Sequence, residues 1–338
     1  MTKNKILIDQ SGLSRREFML EMALLTGGMA GISWMFGHQR KPAETFIAQV
    51  DNYRKDIAVE IYRGLFELGL TAAEVKGKSI LLKPNLVEFK KNAEHINTHP
   101  LIVRGAAEAF LRLGAARVLV GEGPGHCRDT LYVFEGSGLA DTLFQDRIPF
   151  VDLNNDNLFT VRNKSRLTRL KSITLPAVLG QVDWIVSIAK MKTHHWAGVT
   201  LSMKNLFGVM PGIVYGWPKN VLHHEGIDRS ILDINATVQP HFAIVDGIVG
   251  MEGDGPIMGE AKPVGVLVMG RNLPSVDATC CRIMGIEPRK IHYLHLASKW
   301  LGPVDEQNIN QRGEKISDVM NPFLLIDNIT ARQVLRRG

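Results

Sequence analysis

Cysteine is scarce: 338 residues contain three, Cys127, Cys280 and Cys281. Three are too few for a disulfide framework, and none has the C-x-x-C spacing that holds zinc or an iron–sulfur cluster. No iron–sulfur cluster is expected, and the body must hold itself by packing. Runs of basic residues are missing too. The formal charge of +6 falls to +4 without residues 1–40, where 35 Lys and Arg remain against 31 Asp and Glu. An excess so mild and dispersed argues against nucleic acid as a partner, which calls for a clustered basic stripe. Repeats and low-complexity linkers are absent, and no apolar run reaches the roughly twenty residues that cross a bilayer comfortably. What remains, 45% apolar and 22% charged, is the make-up of an ordinary globular protein.

Residues 1–40 stand apart. Ser14-Arg15-Arg16-Glu17-Phe18-Met19-Leu20 sets paired arginines ahead of an apolar stretch over 22–36. Gly27, Gly28 and Gly31 would weaken an amphipathic helix of the fold there, and the segment resembles a twin-arginine export signal. The resemblance implies the twin-arginine translocase as a partner and a place in the periplasm or on the outer face of the inner membrane. No clear A-x-A cleavage site follows, so the segment can stay as an N-terminal anchor, the only membrane contact expected.

From residue 41 to 338 the pattern predicts a single α/β domain, open to division into two lobes around a cleft. Val-, Ile- and Leu-rich runs at 79–82, 117–120, 149–153, 182–188, 242–245 and 264–269 read as buried strands. Helical spacing occupies 100–113, 230–238, 274–284 and 289–300. This alternation implies a largely parallel sheet with helices on both faces. Ligands of such sheets collect beyond the carboxyl ends of the strands, where the unusual residues lie: Lys83-Pro84-Asn85, then Gly121-Glu122-Gly123-Pro124-Gly125-His126, then Asp152, Asn154 and Asp156. After the fourth strand come Lys190-Met191-Lys192-Thr193-His194-His195, and after the fifth Asp246-Gly247.

The densest stretch runs over 189–208. A helix starting near Gly198 would put Thr200 and Lys204 on one face and aim its free amides at Lys192 and His194. Amides, a positive dipole end and lysines suit a carboxylate or phosphate. A single lysine is usually a solvated surface charge; Lys83, Lys190, Lys192 and Lys204 on converging loops suggest more. His194 and His195 point in opposite directions if extended, so one of them could be a ligand or proton carrier, and His223-His224 raises the same question. Asp246, Glu252 and Asp254 lie on a glycine-rich segment that could hold a divalent cation, supply an acid and base, or simply turn. Gly121-Glu122-Gly123 is neither a Walker loop nor a dinucleotide fingerprint, though it can form an amide-lined cradle. Cys127 beside it is a candidate reactive thiol or an inert one.

These elements together resemble the domain of unknown function 362 family: Lys83-Pro84-Asn85-Leu86, Gly121-Glu122-Gly123, Ala189-Lys190-Met191-Lys192-Thr193-His194, Met203-Lys204-Asn205-Leu206-Phe207-Gly208, and Asp246-Gly247 through Gly255-Pro256. Relatives in that family often append ferredoxin modules, whose cysteines this chain lacks. More remotely, Pro84-Asn85, His99-Pro100 and Gly125-His126 are similar to pieces of the lactate-racemase-like family, which uses a nickel-pincer nucleotide; no catalytic residue is carried across.

The leading expectation is an exported enzyme for a small anionic substrate, with a divalent metal or another cofactor in a cleft lined by Lys, His and Asp. Lys192, His194, Lys204 and Asp246 are the catalytic candidates. Lys83, Asn85, Gly121, Glu122, Gly123, Thr193 and Asn205 would contact the ligand, and Asp246, Glu252 and Asp254 the metal. Alternatives are a periplasmic carrier of a ligand or cofactor serving a redox system, a racemase-like isomerase, and an interaction subunit.

Overall fold

Successive side chains of a strand point to opposite faces, and here both sets are apolar. Leu81 enters one core while Ile80 and Leu82 enter the other, and Ala189 and Ile188 divide the same way. Strands of this kind need helices on both sides. The structure, a computed structural model describing residues 42–126 and 129–326, has that arrangement. The twin-arginine segment and Cys127 lie outside the described residues.

The main sheet contains β1 (Ala43–Gln49), β2 (Ser79–Pro84), β3 (Arg117–Glu122), β4 (Phe150–Asp152), β7 (Trp184–His194), β8 (Gly198–Thr200), β9 (Phe242–Glu252), β10 (Glu260–Gly270) and β11 (Ile309–Gly313). A separate antiparallel hairpin pairs β5 (Leu158–Arg162) with β6 (Ser172–Pro176). The order is β11-β1-β10-β9-β7-β2-β3-β4, with β8 folded back on β7. From β9 to β4 every neighbour is parallel. Two strands oppose this direction: β10, antiparallel to β9 and to β1, and the short β8, antiparallel to β7. This is the largely parallel α/β sheet expected.

One face is covered by α1 (Ile57–Glu67) and α2 (Pro100–Arg112), the other by α3 (Ile227–Val238) and α4 (Leu273–Ile283). Asp56 begins α1 by accepting from Val59 N at 3.2 Å, a side-chain cap for an amide with no intrahelical partner. His99 and Pro100 begin α2 in the same way, with Leu101 N donating to His99 Nδ1 at 3.2 Å. A β-carbon on Gly105 would lie 2.9 Å from Ile57 Cγ2 and 3.0 Å from Ala58 N, so glycine sets how closely these helices approach. Cys280 and Cys281 are free and buried in α4.

The helix expected from Gly198 is instead a hairpin return. Lys192 pairs with Thr200 and His194 with Gly198, and a four-residue helix begins only at Ser202. Its first amides do not await a ligand. Asp277 of α4 accepts from Ser202 N at 2.8 Å, Ser202 Oγ at 2.5 Å and Met203 N at 3.1 Å. Burial pushes the Asp277 carboxyl up to about 7, against the pull of these donors. Asp277→Ala would strand two buried amides and a hydroxyl, so urea unfolding is expected to show a loss of about 3 kcal/mol or more. An unchanged midpoint would mean that those donors find other partners.

Candidate functional site

Parallel pairing sets the ends of β2 and β3 side by side, and their last side chains meet. Lys83 Nζ donates to Glu122 Oε2 at 2.6 Å, Pro84 O at 2.7 Å and Asn205 Oδ1 at 2.9 Å. Glu122 also accepts from Leu86 N at 3.0 Å and Gly123 N at 2.8 Å. Asn205 closes the group by donating to Lys83 O and Ser187 Oγ, both at 3.0 Å. Burial lowers the Lys83 pKa and Glu122 draws it back up. Gly208 must be glycine here, because a β-carbon would stand 1.9 Å from Glu122 Oε1.

On β7, Lys190, Lys192 and His194 follow at two-residue spacing. The register sets Lys190 opposite Asp246, and its Nζ donates to Asp246 Oδ2 at 2.9 Å and Tyr53 Oη at 2.9 Å. Tyr53 donates in turn to Asp246 Oδ1 at 3.0 Å and stacks on His99 at 3.7 Å between ring centroids. Lys192, fully buried, has only carbonyls as hydrogen-bond partners among the described residues, Ile96 O at 2.8 Å and Pro256 O at 3.3 Å. Burial, then the charges of Lys204, Lys190 and Lys83, hold its pKa well below the usual lysine range. His194 Nδ1 accepts from Trp196 N at 3.0 Å and Ala197 N at 3.2 Å. A neutral imidazole that accepts through one nitrogen carries its proton on the other. Burial, followed by Lys204, His195 and Lys192, drives its pKa well below 6.5. The side chain is therefore a neutral Nε2–H donor, suited to an anion and not to a cation.

These elements open onto a cavity of about 630 Å³. Lys204 and Lys219 line it and have no carboxylate at ion-pair distance among the described residues. Lys204 sits 5.1 Å from the centre of the Phe207 ring; burial, then Lys83, lower its pKa to about 8. Lys219 donates to Asn154 Oδ1 at 2.6 Å and to Met210 O. Burial takes it down to about 7 despite the opposing pull of Glu122. His223 Nδ1 lies 3.0 Å from Lys219 O. A carbonyl only accepts, so Nδ1 holds the proton and Nε2 keeps a lone pair, the reverse of His194. Asn85 Oδ1 and Thr200 Oγ1 border the same cavity, buried and without a hydrogen-bond partner among the described residues. Such atoms are unfavourable unless something else satisfies them. A second depression of about 650 Å³ beside Trp300 has no buried side-chain atom without a partner among the described residues; its Lys164 donates to Gln239 Oε1 at 2.5 Å and its Arg271 is tied to Glu74 at 2.8 Å. Chemistry, not volume, separates the two.

Of the residues anticipated from sequence, Lys83, Asn85, Glu122, Gly123, His194, Lys204, Asn205 and Asp254 line the cavity. Lys192 and Asp246 do not; both are sealed behind its wall with partners of their own. Gly121 packs between Leu153 and Leu81, and Thr193 turns away to give its hydroxyl to Gly253 O at 2.8 Å. The three acids read as a cation set are dispersed. Asp246 serves Lys190, Glu252 meets Lys262 at 3.3 Å and Leu324 N at 2.7 Å, and Asp254 faces His195 at 3.4 Å. Among the described residues no three His, Cys, Asp or Glu side chains are grouped to hold a metal ion. Gly247, Gly250 and Gly255 of that segment answer to packing, a β-carbon on Gly255 lying 2.1 Å from Thr193 O, while Gly253 turns the chain at a φ of 80°. Sequence reading missed Lys219, whose Trp217-Pro218-Lys219-Asn220 context looks like an ordinary turn.

A model of the family described as Domain of unknown function (DUF362) matches residues 80–282. A thylakoid-associated protein, sll1697, of Synechocystis sp. is 27% identical over 223 residues, covering 64% of this chain and 65% of that protein. Among solved structures, lactate racemase apoprotein from Thermoanaerobacterium thermosaccharolyticum superposes with a TM-score of 0.45 at 14% identity, over 72% of this chain and 57% of that one. A crystal structure of a Thermotoga maritima protein gives 0.41 at 15%, over 69% and 59%. The family match takes in the strands and loops that build the cavity, from Lys83 to Asp254, and the chain belongs to the family described as Domain of unknown function (DUF362).

Proposed function

We propose that the chain is an enzyme whose cavity takes a small anionic substrate, carboxylate or phosphate, and moves a proton on it. The observation that carries this reading is the set of groups facing one space: Lys204 and Lys219 without a carboxylate at ion-pair distance, with Asn85 Oδ1 and Thr200 Oγ1 without partners, among the described residues. Two ammonium groups facing one cavity favour negative charge there. Lys83, already saturated by Glu122 and Asn205, shapes the floor and is not the anchor. His194 Nε2–H would donate to the substrate, and His223 Nε2 is the free base able to accept a proton. A carrier would need the two lysines but not imidazoles held in opposite tautomers.

Calorimetric titration with acetate and with phosphate tests the reading. Binding of at least one is expected, weakened about 10-fold or more in Lys204→Met. His223→Asn, which removes a base and not an anchor, should change affinity less than about threefold. Failure of both anions to bind the unaltered protein would sink the proposal.

A further inference from the structure

Resting on that anionic reading, we infer that the substrate is amphipathic: a single anionic head seated among Lys204, Lys219 and His194, with an apolar body lying against Trp196 and Met258 at the cavity mouth. The space of about 630 Å³ is far more than one carboxylate or phosphate fills; pockets of ~300–1,000 Å³ enclose ligands of drug size. The wall beyond the lysines includes the apolar side chains Leu86, Phe207 and Ile257, alongside Glu88 and Asp254, which face His126 and His195. At its edge, Trp196 is 64% exposed and Met258 71%.

Neither rim residue is a stray on a loose loop. Trp196 caps the β7–β8 hairpin, and its ring lies edge-on to His195 at 4.8 Å and to His223 at 5.3 Å. Met258 N donates to Asp254 O at 3.1 Å. The two loops are tied to each other by His195 N to Gly255 O at 3.0 Å and by His195 Nδ1 against Asp254 at 3.4 Å. Large apolar side chains braced in water beside a cavity mark a surface that something covers. Charge inside and apolar area at the mouth define one ligand with both characters.

Calorimetry at pH 6.5 with acetate, decanoate, 2-naphthoate and uncharged decanol tests this. Decanoate or 2-naphthoate should bind at least ~10-fold tighter than acetate, from the extra apolar area covered. The double variant Trp196→Ser/Met258→Ser, whose exposed positions spare the core, should remove most of that gain, and its melting temperature verifies folding. Equal affinity for acetate, decanoate and 2-naphthoate overturns the amphipathic inference and leaves the anionic reading standing. Decanol binding as tightly as decanoate, with no response to acetate, overturns both. A gain that survives the double variant overturns the placement of the body at Trp196 and Met258.

Discussion

Asp246→Ala lowers the free energy of unfolding by about 3–5 kcal/mol, the loss expected when one member of a buried ion pair is removed. Lys190 would keep a fully buried ammonium with no carboxylate. Tyr53 Oη, His99 N at 3.1 Å and Ile248 N at 3.2 Å would lose their acceptor as well. Guanidinium unfolding of the purified variant measures the effect. The companion change Lys190→Met/Asp246→Leu removes both charges together, and most of the lost stability should return, because an apolar pair of similar volume replaces a desolvated ionic one. If Asp246→Ala instead unfolded like the parent while losing only anion binding, Asp246 would belong to the site and not to the sheet.

Anion affinity should fall as pH rises through 7 to 8. The sign follows from the lysines: Lys219, near 7, and Lys204, near 8, attract an anion only when protonated. Below about pH 6.5 both carry charge and affinity is flat. Above pH 8 each neutral amine must take up a proton on binding, so affinity drops about 10-fold per pH unit for each lysine engaged. Titrations in buffers of different ionisation enthalpy would count those protons directly, with one to two taken up near pH 8. His194 adds no step in this window, since burial and neighbouring cations keep it neutral. Affinity that rises with pH, or ignores it, would remove both lysines from the binding role.

The strands that sequence revealed are those buried on both faces, whose apolar runs need no alternation: Ile80 to Leu82 and Val118 to Val120 are examples. Ile309–Gly313 at the sheet edge and Ala43–Gln49 beside it were silent. Ile309–Gly313 is largely polar, and an edge strand is defined by a partner far along the chain, here β1 against β11. The site divided similarly. Lys83, Glu122, His194 and Lys204 were readable because strand ends announce where loops converge. The helix drawn from Gly198 failed because spacing of four between Thr200 and Lys204 fits a helix, while residues 198–200 pair back on β7 and the amides of Ser202 and Met203 belong to Asp277, some 75 residues on. Lys219 could not be found from local pattern, since its burial depends on Asn154 and on the carbonyl of Met210. The acid cluster misled for a related reason: proximity in sequence hid that β9 runs on to Glu252 and hands its acids to different neighbours.

β7 carries Lys190, the anchor of the buried ion pair with Asp246, and His194, the donor at the cavity, four residues apart on one strand of eleven. At ~3.3 Å per residue that is about 13 Å of backbone, along which the pairing with β9 shifts register between Lys190 and Lys192. Core and site therefore share one strand. Substitutions that shift the Lys190 pair should reposition the His194 imidazole, and tolerance to change in the middle of this sheet should be narrower than burial alone would suggest.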